Sequence, residues 1–203
     1  MVYDIIFYGD IMLTMKDIRQ EGDPILRKRA ADVQLPLSGE DLATLRLIME
    51  YISNSQNEAI AAEYGLRPAV GLAAPQIGVS KKMFCMNTFD ETGETPHRYA
   101  FVNPKMVSAS VEQCYLPSGE GCLSVEETKN GLVSRAKRIK ARATLVDLET
   151  GSQTDVVVKL AGYPGIVFQH EYDHLMGILF IDKKKEELPG VKPIIFPHDE
   201  VAE

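Results

Sequence analysis

The chain has 203 residues, 45% hydrophobic and 25% charged, with a formal net charge of −7. That is the composition of an ordinary globular protein, long enough for one domain with its own core. No apolar run approaches the roughly 20 residues of a membrane span, and the acidic balance argues against a general nucleic-acid binder, which would need a basic surface to meet phosphates.

Residues 1–11 are apolar in part, but Asp4 and Asp10 interrupt them and they lack the basic start and small-residue cleavage site of a signal peptide. Asp23 before Pro24 predicts a short helix, Asp23 to Ala30, with the aspartate as N-cap and the proline in the first turn. A longer helix is expected from Gly39 to about Ser53, capped by Ser38-x-x-Asp41, with Leu42, Leu45, Ile48, Met49 and Ile52 as its buried stripe. Residues 54–65 read as a second, shorter helical piece.

Beyond Gly71 the pattern changes to strands and turns. Strands are expected at Met83 to Asn87, Phe101 to Val102, Met106 to Tyr115, Ile139 to Asp147 and Asp155 to Leu160. The clearest is Ile139 to Leu145, which alternates apolar and polar residues. Glu149-Thr150-Gly151 predicts a hairpin turn, and the basic stretch from Arg135 to Arg142 reads as a solvated strand face. A last helix is expected from Pro164 to about Met176, ended by Gly177. The tail from Glu187 carries Pro189, Pro193 and Pro197, so it is expected to lie extended against the body. The class is α+β, an antiparallel sheet packed on a late helix.

That late helix contains Gln169-His170-Glu171-Tyr172-Asp173-His174. Positions i and i+4 share a helix face, so His170 and His174 can offer two imidazole nitrogens to one metal ion. Glu171 is one step round, close enough to move a proton on a water in the fourth position. A bare H-E-x-x-H arises by accident in roughly one chain of this length in one or two hundred.

A catalytic metal site needs a third protein ligand. The other histidines, His97 and His198, are poor candidates, and Asp182 and Glu186 stay formally open. Cys122 is the better candidate, because it follows Gly119-Glu120-Gly121, where backbone can approach closely. The three cysteines, Cys85, Cys114 and Cys122, cannot all pair and show no disulfide spacing, so a reducing cytoplasm is expected.

Three blocks in order, Gly71-Leu72-Ala73-Ala74-Pro75-Gln76, Glu120-Gly121-Cys122-Leu123-Ser124 and the histidine block, resemble those of the bacterial peptide deformylases. The resemblance runs from about Met12 to Asp182. It implies antiparallel sheets around a central helix that carries the metal ligands, in one catalytic domain spanning 12–203, with 1–11 an extension or alternative start. It also implies removal of the formyl group from the formylmethionine of nascent polypeptides. Cys122, His170 and His174 would hold one divalent ion, Fe2+ in the cell with Zn2+, Ni2+ or Co2+ as substitutes. Glu171 would carry the proton. The side-chain amide of Gln76 and the backbone N–H of Leu123 would face the oxyanion, and Gly71 would pair with the extended substrate. Val70, Tyr163, Ile166 and Val167 would line the methionine pocket, and Arg135 would lie on the substrate side. The partners implied are N-formylmethionyl peptides and the ribosome near its exit tunnel.

Three features place the chain nearer the larger Gram-positive form. Ala69 stands where the family's first block usually has glycine, with a longer segment ahead of it, and the tail has no long basic helix. A peptidase with a downstream carboxylate ligand and a binding module without turnover remain as alternatives at this stage.

Overall fold

The structure, a computed structural model, describes residues 12–126, 129 and 131–197. The predicted extension at 1–11, and His198 with the rest of the tail, lie outside the described residues. A 3-10 turn, Pro24–Arg27, comes first, with the Asp23 side chain accepting from the Ile25 N–H. It stops short of the predicted helix because Lys28 is already extended.

Helix α1 (Gly39–Ser55) begins where Ser38 accepts from the Asp41 N–H. Helix α2 (Glu58–Tyr64) is capped by Asn57 and closed by left-handed Gly65. Then come strands β1 (Gly71–Ala73), β2 (Met83–Phe89), β3 (Pro96–Ala109), β4 (Gln113–Tyr115), β5 (Arg135–Ala136), β6 (Arg138–Val146) and β7 (Gln153–Ala161). Helix α3 (Gly162–Leu175) and a last short strand, β8 (Lys192–Pro193), complete the order.

Strands β1, β2, β3, β6 and β7 form one antiparallel sheet in the order β1-β2-β3-β6-β7. A smaller sheet has the order β5-β4-β8, and its β4–β8 pair is parallel, which the all-antiparallel expectation did not include. The β6–β7 hairpin turns where expected, with the Asp147 carboxylate accepting from the Glu149 and Thr150 N–H groups.

The run Met83-Phe84-Cys85-Met86 is fully buried because β2 is covered on both faces. Met83 and Cys85 pack with Leu45, Ile48 and Ile52 of α1. Phe84 and Met86 pack with Phe168 and Leu175 of α3. The Phe84, Phe101 and Phe168 rings meet with centroids 5.1–5.2 Å apart, an aromatic seam that fixes α3 on the sheet. In α1, Leu42 is only half-buried, and Tyr51 completes the buried face.

Strand β3 runs on through Pro104, joining the expected strands that end at Val102 and begin at Met106. The register with β6 shifts between Val102 and Lys105, so the proline sits at an irregularity that needs no ladder hydrogen bond. Asn103 adopts φ 49° there, and its amide exchanges two 2.8 Å hydrogen bonds with the Val33 backbone. The predicted strand from Met106 to Tyr115 is instead two strands in two sheets, divided at 110–112.

Candidate metal centre and cleft

Helix α3 starts two residues before Pro164. Its N-cap, Ala161, has no capping side chain. The Glu91 carboxylate, from the β2–β3 loop, accepts from the Tyr163 N–H at 3.4 Å and supplies a negative group at the helix start. Gln169 ties the middle of the helix to β5, donating to Ala136 O and accepting from the Ala136 N–H at 2.9 and 3.0 Å. With both ends of that register held, Tyr163, Ile166, Val167, His170 and Glu171 all line one cleft of about 490 Å³. Val70, Gly71, Gln76, Cys122 and Leu123 line its other parts.

The donor atoms of Cys122, His170 and His174 lie within 4.8 Å of one another. Cys122 Sγ is 3.3 Å from His174 Nε2, and the two imidazoles stand edge to face with centroids 5.1 Å apart. His170 Nδ1 is 2.8 Å from Glu120 Oε2, which leaves Nε2 for an ion. A thiolate with two imidazoles is a donor set for a transition metal, so these residues fit one divalent ion. The open carboxylate alternative is not met. Asp182 bonds Arg27 and the Leu179 N–H, and Glu186 is exposed.

Glu171 is 4% exposed and its Oε2 has no hydrogen-bond partner among the described residues. Burial pushes its carboxyl up to about 7, against the opposing pull of the His170 and Arg135 charges. Gly71 on β1 explains how the carboxylate fits. A Cβ there would stand 2.5 Å from Glu171 Oε1 and 2.8 Å from Cδ and Cγ, so only glycine leaves the room.

Gln76 is 2% exposed and its orientation is set by the backbone. Its Oε1 accepts from the Ala73 N–H at 2.8 Å, which turns Nε2 toward Cys122 Sγ at 3.4 Å and Ser124 Oγ at 3.2 Å. That burial rules out a solvated turn role for Gln76. The Ser124 N–H meets the same sulfur at 3.4 Å, and no described residue accepts from the neighbouring Leu123 N–H.

Arg135 does not reach the cleft, and the substrate-side expectation is corrected here. Its guanidinium is 3% exposed and bonds Glu120 twice, at 2.7 and 2.8 Å, and Asp173 once. Lys183 also donates to Asp173. Burial alone would raise the Glu120 carboxyl, but Arg135 and His170 together hold it at about 2. The expectation of a solvated basic face likewise holds only from Arg138 onward, because Arg135 and Ala136 are buried.

Sequence reasoning missed Arg67 and Glu120. Arg67 lines the cleft and donates to the carbonyls of Cys122, Leu123 and Val125 at 3.2–3.3 Å, strapping down the segment that carries the thiol. No local pattern marks such a residue. Glu120 was legible in principle, as a carboxylate two positions before a metal-type cysteine.

Residues 15–188 match the family model described as Polypeptide deformylase. The chain is 50% identical over 182 residues to Peptide deformylase 2 of Bacillus cereus, covering 90% of this chain and 96% of that protein. The solved peptide deformylase from Thermotoga maritima is 36% identical with a TM-score of 0.61, covering 83% of this chain and 96% of that one. The Met-Ala-Ser-bound class I type b peptide deformylase from Acinetobacter baumannii is 29% identical with a TM-score of 0.61, covering 86% and 99%.

Proposed function

The chain belongs to the polypeptide deformylase family, and from that premise we propose that Cys122, His170 and His174 hold the metal on which its activity depends. The protein is an enzyme of the Gram-positive type 2 form that removes the formyl group from the N-terminal methionine of nascent peptides, releasing formate. The observation that carries the residue assignment is the convergence of three donors beside a buried carboxylate with an unpartnered oxygen.

A divalent ion bound there would supply Lewis acidity, polarising the formyl carbonyl and lowering the pKa of water toward ~7. Glu171 takes the proton of the attacking water on its free oxygen. As the C–O bond forms, negative charge gathers on the formyl oxygen, and Gln76 Nε2, exchanging its bond to Ser124 Oγ, and the Leu123 N–H would donate to it. The C–N bond then breaks, the proton passes from Glu171 to the leaving nitrogen, and formate and a free α-amine result. Each oxyanion donor is worth on the order of 3 kcal/mol in the transition state.

Strand β1 is an edge of its sheet, and its open side borders the cleft at Val70 and Gly71. An extended peptide can add there by backbone pairing, with Tyr163, Ile166 and Val167 taking the methionine side chain. We take Fe2+ as the ion in the cell because the family points to iron; a thiolate with two imidazoles also accepts Zn2+, Ni2+ or Co2+, and binds them more tightly. Among the described residues no helix is long and apolar enough to cross a membrane. The proposed setting is the cytoplasm, near the ribosomal exit tunnel where formylated chains emerge, with residues 12–203 acting as one catalytic domain.

The test is formate release from formyl-Met-Ala-Ser by protein purified anaerobically with ferrous iron, beside Glu171→Ala. Formate from the wild type and almost none from the variant, with metal retained, supports the assignment. A metal-loaded wild type that releases none would sink it.

A further inference from the structure

Part of the cleft wall is backed by the C-terminal tail. Leu116, Tyr163 and Ile166 face the cleft. Behind them, Ile194 is 6% exposed and clusters with Ile166 and Cys114, with Leu116 and Phe196 packed on the same group. The Phe196 ring meets Tyr163 edge-on, centroids 5.4 Å apart and planes at 77°.

Backbone pairing fixes where these side chains fall. Cys114 and Tyr115 of β4 pair with Lys192 and Pro193 of β8, and the Ile194 N–H donates to Tyr115 O at 2.8 Å. In extended chain, alternate residues share a side. Ile194 and Phe196 therefore point inward while Ile195, between them, is 62% exposed.

We infer that this tail, through Ile194 and Phe196, sets the width of the methionine pocket and thereby the enzyme's choice of N-terminal side chain. The inference rests on the deformylase reading of the cleft. A methionine side chain is unbranched and flexible, so it makes few directional demands, and discrimination must come from the fixed shape of an apolar wall. Tyr163 and Ile166 hold that shape only while something fills the volume behind them. Without Ile194 or the Phe196 ring, they relax backward into the vacated space and the pocket widens. Ile194 and Phe196 are positioning residues, since neither lines the cleft.

The experiment compares kcat and KM for formyl-Met-Ala-Ser and formyl-Phe-Ala-Ser in metal-loaded wild type, Phe196→Ala, Ile194→Ala and Phe196→Tyr. The preference for methionine over phenylalanine should fall about tenfold in the two alanine variants, the scale of a lost hydrophobic fit. The change should sit in KM, rising for methionine and falling for phenylalanine. Phe196→Tyr keeps the ring and should keep the wild-type preference. An unchanged preference in Phe196→Ala overturns the inference, and so does an equal fall in kcat on both substrates, which would mark a merely structural tail. Phe196 is half-buried near the end of the tail, so its variant remains decisive even if Ile194→Ala fails to fold. Absence of formate from the wild type is a different failure, that of the deformylase reading itself.

Discussion

Gly71 on β1 and Glu171 on α3 are in such close approach that a single methyl group on the glycine would stand 2.5 Å from the carboxylate oxygen. The strand edge that would bind the peptide and the carboxylate that would move the proton therefore constrain each other. Gly71→Ala must displace Glu171, because the added Cβ would stand within 2.8 Å of its Cγ and Cδ as well as its oxygen. A misplacement of about 1 Å at a reacting group costs on the order of 100-fold in rate. The expected result is a loss of that size in formate release, with metal content unchanged by elemental analysis. Full activity in Gly71→Ala would refute the coupling.

Arg135 offers a clean separation of roles. As a substrate contact it would affect KM and leave stability alone. As the partner of Glu120 and Asp173, both inside the fold, its removal strands buried charge. Arg135→Met should cost ~3–5 kcal/mol in denaturant unfolding. Through Glu120 and His170 it should also weaken metal binding, by about 10–100-fold, the range for lost support of a ligating histidine. A normal unfolding midpoint with a raised KM would restore the substrate-side reading.

Burial pushes the Cys114 thiol up to about 11. At pH 7.5 its thiolate fraction is then ~300-fold below that of a free cysteine with a pKa of about 8.5, since only the thiolate reacts. Iodoacetamide should modify Cys114 very slowly in the folded protein, and the rate should climb tenfold per pH unit until near 11. Peptide mapping after timed labelling measures it. Rapid labelling at neutral pH would mean that the tail is not seated on β4 as described.

Gly162 starts α3 at φ 57°, and a Cβ there would overlap the Glu91 carboxylate. Gly162→Ala should therefore destabilise by about 1–3 kcal/mol through strain and clash together. Adding Glu91→Ala removes the clash and leaves the strain, so the double variant should recover part of the loss. Equilibrium unfolding of the four proteins gives the coupling directly, and strictly additive effects would contradict the contact.

Much of the site was legible because its chemistry is local. His170, Glu171 and His174 fall on one helix by spacing alone, and Cys122 and Gln76 stand in short blocks that resemble the family's. The amphipathic stripe of α1 and the β6–β7 hairpin followed from periodicity and turn residues. What failed was set by distant partners. Strand β1 is three residues long and too short to show a period, and it exists because β2 is beside it. The strands expected at Phe101 to Val102 and from Met106 are one strand because the irregularity that carries Pro104 depends on β6. Arg135 looked ambiguous because Glu120 and Asp173, which claim it, lie 15 and 38 residues away.

The contact between Gln76 and Cys122 spans 46 residues, and that between Cys122 and His174 spans 52. Each closes a long loop, whose entropic cost is recovered only when both ends are already in place. Such topology makes late assembly intrinsic, since no early folding intermediate can hold a working fraction of the centre. Activity should consequently vanish in step with the cooperative transition of the whole sheet, and metal release should trace the same curve.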